Sequence, residues 1–190
     1  SKLIIVPDAG SGDSKECKKL IESGKDIIIL DHHSIDAFGN PAIVVNNQLS
    51  DKITDKAMTG VGITYKFTKL LDKYYGVNYA DDYLDLVALG MIGDRADTVN
   101  LQTRYLILKG LEQIRNKVNK NKLISVLVDA QMYSMNNKIT INGIGFYVCP
   151  LMNSMIRLGE YEDKCYMFEA LCNSDEMLDR KVRGKGIVNM

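Results

Sequence analysis

The chain has only two histidines, and they are neighbours: His32 and His33, directly preceded by Asp31. Carboxylate oxygen and imidazole nitrogen side by side are ligands that a divalent transition metal such as Mn²⁺ accepts. A second carboxylate, Asp8, follows another short apolar run, Leu3–Val6. A third, Asp94, ends the apolar stretch Tyr83–Ile92, within Gly90-Met-Ile-Gly93-Asp94-Arg95-Ala-Asp97. A carboxylate there needs a partner, because an unpaired buried charge is costly and a helix C-terminus is itself partly negative. A metal would supply that partner. A salt bridge to Arg95 or a capping role for the next helix would supply it too, and the local sequence leaves these readings open. Paired metals at such a site can activate water and clamp a phosphoryl group.

These residues act together only if the fold converges them. Leu3–Val6 and Asp26–Leu30 read as buried strands, joined by a helix at about Ser14–Ser23 that Asp13 or Ser14 caps and Gly24 ends. Two apolar strands joined by one helix make a βαβ unit, hence a parallel sheet. Ligands in such sheets bind beyond the carboxyl ends of the strands, where Asp8 and Asp31-His32-His33 both fall. Ala42–Val45 reads as a third strand and Asn142–Val148 as a fourth. Helices are expected over Asp55–Tyr75, Tyr83–Ile92, Leu101–Val118, Lys122–Ser134, Tyr161–Cys172 and Asp175–Val182, with Leu151–Leu158 unassigned. The expected class is therefore α/β: a parallel sheet flanked by helices, with a helix-rich C-terminal part. Arg104, Lys109, Arg115 and Lys117 form the polar face of the third of these helices, either a solvated face or a phosphate-facing stripe.

A chain of 190 residues, 46% apolar and 25% charged, is globular in composition. Its 24 basic and 24 acidic residues cancel, which removes bulk positive charge as evidence for nucleic-acid binding but leaves room for a local basic groove. The longest apolar runs, Leu3–Val6 and Ile27–Leu30, fall far short of the roughly 20 residues that span a bilayer, and the expectation is of a protein without a signal peptide. Cys17, Cys149, Cys165 and Cys172 show no Cys-x-x-Cys spacing and read as reduced, small hydrophobes in a cytoplasmic setting. The chain opens at Ser1 and enters a strand at once, so missing N-terminal sequence is expected.

Asp8-Ala-Gly, Asp31-His32-His33 and Gly90-Met-Ile-Gly-Asp94, in this order, resemble the motifs of the DHH phosphoesterases. Finer features resemble that family's RecJ branch of single-strand-specific exonucleases. These are Asn40-Pro-Ala-Ile-Val-Val-Asn46, Thr59-Gly60-Val-Gly62, Arg104 with Lys109-Gly110-Leu111, and Phe146 with Pro150-Leu-Met-Asn153-Ser-Met-Ile-Arg157-Leu158. The resemblance runs from Asp8 to about Leu171. It implies that Asp8 bridges two metals and that His32 and Asp94 ligate one of them. It implies that His33 faces the scissile phosphate and the attacking water, that Asp31 orients the site, and that Arg157 with Asn153 binds phosphate.

The implied chemistry is Mn²⁺- or Mg²⁺-dependent phosphodiester hydrolysis, most specifically 5′→3′ exonuclease action on single-stranded DNA in repair and recombination. Helicase and single-strand-binding protein are the implied partners. Three departures matter. The family's first Asp-x-Asp motif and its C-terminal DHH-associated domain are absent, and Ile156 stands where the family has Gly before Arg157. The expectation is thus a catalytic domain over residues 1–183 and the start of a linker over 184–190. Such a piece holds at most one metal and has little activity of its own. Two alternatives stay open: another DHH activity (nano-RNase, cyclic-dinucleotide phosphodiesterase or pyrophosphatase), and a catalytically degenerate binding module of a replication complex.

Overall fold

The computed structural model describes residues 2–35, 39–49, 52–53, 55–118, 121–174, 179–182 and 186–189. Strand β1 (Leu3–Pro7), helix α1 (Ser14–Glu22) and strand β2 (Asp26–Asp31) form the expected βαβ unit, and β3 (Ile43–Asn46) joins on the far side of β2. Both strand pairs are parallel, with Ile5 opposite Ile28 and Ile28 opposite Ile43. One face carries Ile4, Val6, Ile27, Ile29 and Val44, and packs with Cys17 and Ile21 of α1.

The other face is covered unevenly. Leu30 joins the main core with Met58 and with Ile63 of α2 (Gly60–Tyr75). Further back along the strands, Leu3 and Ile5 are about half exposed and Ile43 is 66% exposed.

A short 3-10 turn (Ala80–Tyr83) leads into α3 (Leu84–Gly93), apolar on nearly every side as the sequence suggests, and buried accordingly. It lies against α4 (Leu101–Arg115) so closely that a β-carbon at Gly110 would collide with the Leu84 carbonyl and Ala88. At its other end the Ala96 N–H bonds the Met91 carbonyl (2.9 Å) and the Arg95 N–H the Ile92 carbonyl (3.1 Å). Arg95 takes a left-handed φ of 55° to do so, which makes a Schellman stop just after Asp94.

Helix α5 (Lys122–Gln131) follows. The strand expected over Asn142–Val148 is helical instead. A turn of helix α6 (Ile141–Gly143), a π-helical segment (Ile144–Val148) and α7 (Cys149–Leu158) run into one another. Ile144 and Val148 are both fully buried four residues apart, a helical spacing, and the Thr140 hydroxyl caps the Gly143 N–H (2.9 Å). Pro150 has no N–H to give a helix and crowds the preceding turn, which the wider π segment accommodates. Helix α8 (Tyr161–Leu171) matches its expectation.

The expected helix Asp175–Val182 is not formed where it can be seen. Asp179–Val182 is a strand, β4, paired antiparallel with β5 (Gly186–Asn189), and residues 175–178 lie outside the described residues. Val182, Ile187 and Val188 are β-branched types, which favour strand over helix. β5 falls within 184–190, the stretch expected to begin a linker.

Candidate metal centre

The strand register brings the site together. Pro7 pairs with Leu30, and the Asp8 N–H donates to the Leu30 carbonyl (2.8 Å), so Asp8 and His32 leave adjacent strands at the same rim. Asp8 leaves β1 with a left-handed φ of 61°, uncommon for a side-chain-bearing residue. Its Oδ1 lies 3.2 Å from His32 Nε2. Asp94, brought in by the C-terminal stop of α3, places Oδ2 3.4 Å from the same nitrogen. Asp8, His32 and His33 each bring a ligand atom within 4.8 Å of the other two. Two carboxylates bracketing one imidazole nitrogen on an open rim suit a divalent ion that accepts oxygen and nitrogen together. The three residues read as ligands from the sequence therefore converge.

Asp31 and His33 form the second half of the site. Asp31 is 1% exposed, and both of its carboxylate oxygens accept hydrogen bonds. Its Oδ1 accepts from the backbone N–H of His32 (2.8 Å) and of His33 (3.2 Å) and from the His33 ring Nδ1 (2.7 Å), while Oδ2 accepts from the Ser11 N–H (3.1 Å). Burial alone would push this carboxyl up; the bonds from His33 and Ser11 outweigh it and hold Asp31 at about 2, below its usual 3.8. In return the Asp31 hydrogen bond raises the His33 imidazole above 6.5, against a smaller desolvation, with the charges of Asp31, Asp8 and Asp94 adding to it. With Nδ1 taken by Asp31, Nε2 is the His33 nitrogen left for a proton or a ligand.

Two asparagines hold these loops, and the sequence reading gave them no role. Asn46 lies opposite Asp31 in the sheet, and its amide donates to the Ser11 hydroxyl and to the His33 carbonyl (both 2.9 Å). Asn40 donates to the carbonyls of Gly10 (3.0 Å) and Ser11 (3.2 Å). The available signal was a buried-strand end carrying a polar residue, Asn46 after Ile43-Val-Val45, which needs a partner when buried.

The rim opens into a cleft of about 510 Å³ lined by Asp8, Thr59, Gly60, Asp94, Asn153 and Ile156, among others. A β-carbon at Gly60 would collide with the Asp8 carboxylate, so only glycine lets α2 start this close to the site. Asn153, which the resemblance implies as a phosphate binder, stands on the cleft wall. Arg157 lies one helical turn further along α7, exposed, and does not line the cleft; Ile156 takes that position.

Residues 1–91 match the DHH family, N-terminal domain. Over 183 residues the chain is 40% identical to the SPbeta prophage-derived protein YorK of Bacillus subtilis, which is named for single-strand DNA-specific exonuclease activity; the match covers 96% of this chain and 31% of that protein. It is 28% identical over 162 residues to the single-stranded-DNA-specific exonuclease RecJ of Thermus thermophilus, covering 85% of this chain and 23% of RecJ. The crystal structure of RecJ in complex with Mn²⁺ from Thermus thermophilus superposes with a TM-score of 0.80 at 27% identity, covering 92% of this chain and 25% of that one. A crystal structure of exonuclease RecJ bound to manganese gives a TM-score of 0.79 at 26% identity, covering 92% and 43%. The chain thus spans about a third, or less, of the curated relatives it matches.

Proposed function

We propose that the protein, whose residues 1–91 match the DHH family, N-terminal domain, is a phosphoesterase of that kind and hydrolyses phosphodiester bonds of single-stranded DNA, 5′→3′, with a divalent metal. The observation that carries this reading is His32 Nε2 set between the carboxylates of Asp8 and Asp94 at 3.2 and 3.4 Å. When bound, Mn²⁺ or Mg²⁺ supplies Lewis acidity and an acidified water. Asp8, His32 and Asp94 are the residues to hold it, one ion within this chain and two in the longer protein.

The remaining roles fall to this chain's own side chains. Asp31 fixes the His33 tautomer and ring, so that His33 Nε2 faces the substrate side and exchanges a proton with the reacting water or phosphate oxygen. Asn153 and Arg157 bind the substrate phosphates from α7, Arg157 by swinging in from its exposed position. The catalytic region runs through residue 183. The setting is cytoplasmic, in repair and recombination, alongside a helicase and single-strand-binding protein. No helix among the described residues is long and apolar enough to cross a membrane.

The test is digestion of a 5′-labelled single-stranded oligonucleotide by the full-length protein with Mn²⁺. Mononucleotides are released from the 5′ end, and Asp8→Asn, Asp94→Asn or His33→Ala lowers the rate by about 10²-fold or more. Cleavage confined to dinucleotides overturns the reading.

A further inference from the structure

Helix α2 begins in the cleft beside Asp8, and its first turn is unsatisfied. Thr59 is its N-cap, in extended backbone, yet the Thr59 side chain caps nothing. The Ile63 N–H reaches back to the Thr59 carbonyl (3.0 Å), so the N–H groups of Gly60, Val61 and Gly62 precede the helical ladder. Thr59 is 3% exposed, and its Oγ1 is buried with no hydrogen-bond partner among the described residues. Thr59, Gly60 and Val61 all line the cleft that contains Asp8 and Asp94. The Asp8 carboxylate lies alongside, with its Oδ1 3.2 Å from His32 Nε2.

A helix N-terminus presents N–H donors and partial positive charge to an anion. A buried hydroxyl with no partner is destabilising unless a ligand accepts from it. Both features belong to residues that line one cleft, the Thr59 hydroxyl buried at its wall. We propose that Thr59 Oγ1 and the first-turn N–H groups of α2 form a phosphate-binding subsite, which takes the nonbridging oxygens of a nucleic-acid phosphate next to the metal centre. This subsite rests on the metal-centre reading, since a phosphate beside Asp8 and Asp94 is stable only with a cation between them.

The experiment uses Thr59→Val, which keeps shape and removes the hydroxyl, and Thr59→Ser, which keeps it. Binding of a fluorescein-labelled ten-residue oligothymidylate is followed by anisotropy in Ca²⁺, thermal unfolding by circular dichroism, and Mn²⁺ binding by electron paramagnetic resonance. Thr59→Val weakens oligonucleotide binding about tenfold without lowering Tm, while Thr59→Ser stays near wild type. In the ¹H–¹⁵N spectrum of the wild type, the Gly60, Val61 and Gly62 amides move on titration with the oligonucleotide. Equal oligonucleotide affinity of Thr59→Val and wild type overturns the subsite and leaves the metal reading standing. So does a wild type that binds Mn²⁺ but no oligonucleotide. A wild type that binds Mn²⁺ no better than Asp8→Asn overturns the metal reading, and the subsite with it.

Discussion

Asp31 is a buried carboxylate whose charge is sustained by hydrogen-bond donors, and this makes it measurable. Its folded value of about 2 lies below the usual 3.8, so it stabilises the fold by about 2 kcal/mol at neutral pH. That contribution is fully present above about pH 4 and is lost as pH falls through about 2. Denaturant melts are expected to show Asp31→Asn less stable than wild type by about this amount at pH 7, with the gap closing toward pH 2. His33 runs the other way: its imidazole is raised, so its share is present below pH 6.5 and fades as pH rises through the folded value.

That Asp8 and His32 meet at one rim was legible from their places at strand ends; Asp94 had several open readings at its helix end, and Thr59 carried no signal of its own. Nothing in Met58-Thr-Gly60 distinguishes an ordinary N-cap from a hydroxyl left without a partner; only the packed cleft does. Arg157 was legible as a residue but not as a position, because sequence spacing does not say which side of a helix turns to a cleft.

At the level of elements, the site is carried by three terminations: β1 at Pro7, β2 at Asp31 and α3 at Gly93. The last depends on α3 holding its place against α4. Gly110→Ala forces a methyl against the Leu84 carbonyl, backbone that cannot swing aside, and is expected to cost about 1–3 kcal/mol or more in urea unfolding. If α3 shifts in response, Mn²⁺ affinity falls with stability through Asp94. The strands and most helices were readable because their apolar periods were unambiguous, as in Ile27–Leu30 and in Ile107, Leu111 and Ile114 of α4. The segment Asn142–Val148 misled because Ile, Phe, Tyr and Val carry strand propensity. Burial of Ile144 and Val148 on one side decided for helix, a tertiary effect that local preference does not contain.

For the molecule as a whole, the sheet's second face is the unfinished part. Leu3 and Ile5 stand about half exposed with Ile43 more so, on one surface of three adjacent strands, and β1 pairs only with β2 among the described residues. Contiguous apolar surface of this kind promotes association. The 190-residue chain is expected to self-associate with rising concentration in light scattering, and Ile43→Lys to reduce this without lowering Tm.

That half-covered sheet also has a consequence during synthesis. All three strands have left the ribosome once Asn46 emerges, but α2, which covers Leu30, is complete only at Tyr75. At roughly 5–20 residues per second, a few seconds separate the two. A nascent chain that pairs its strands in that interval would display Ile5, Ile28, Leu30, Ile43 and Val45 together as one bare apolar plane, the kind of surface to which chaperones bind.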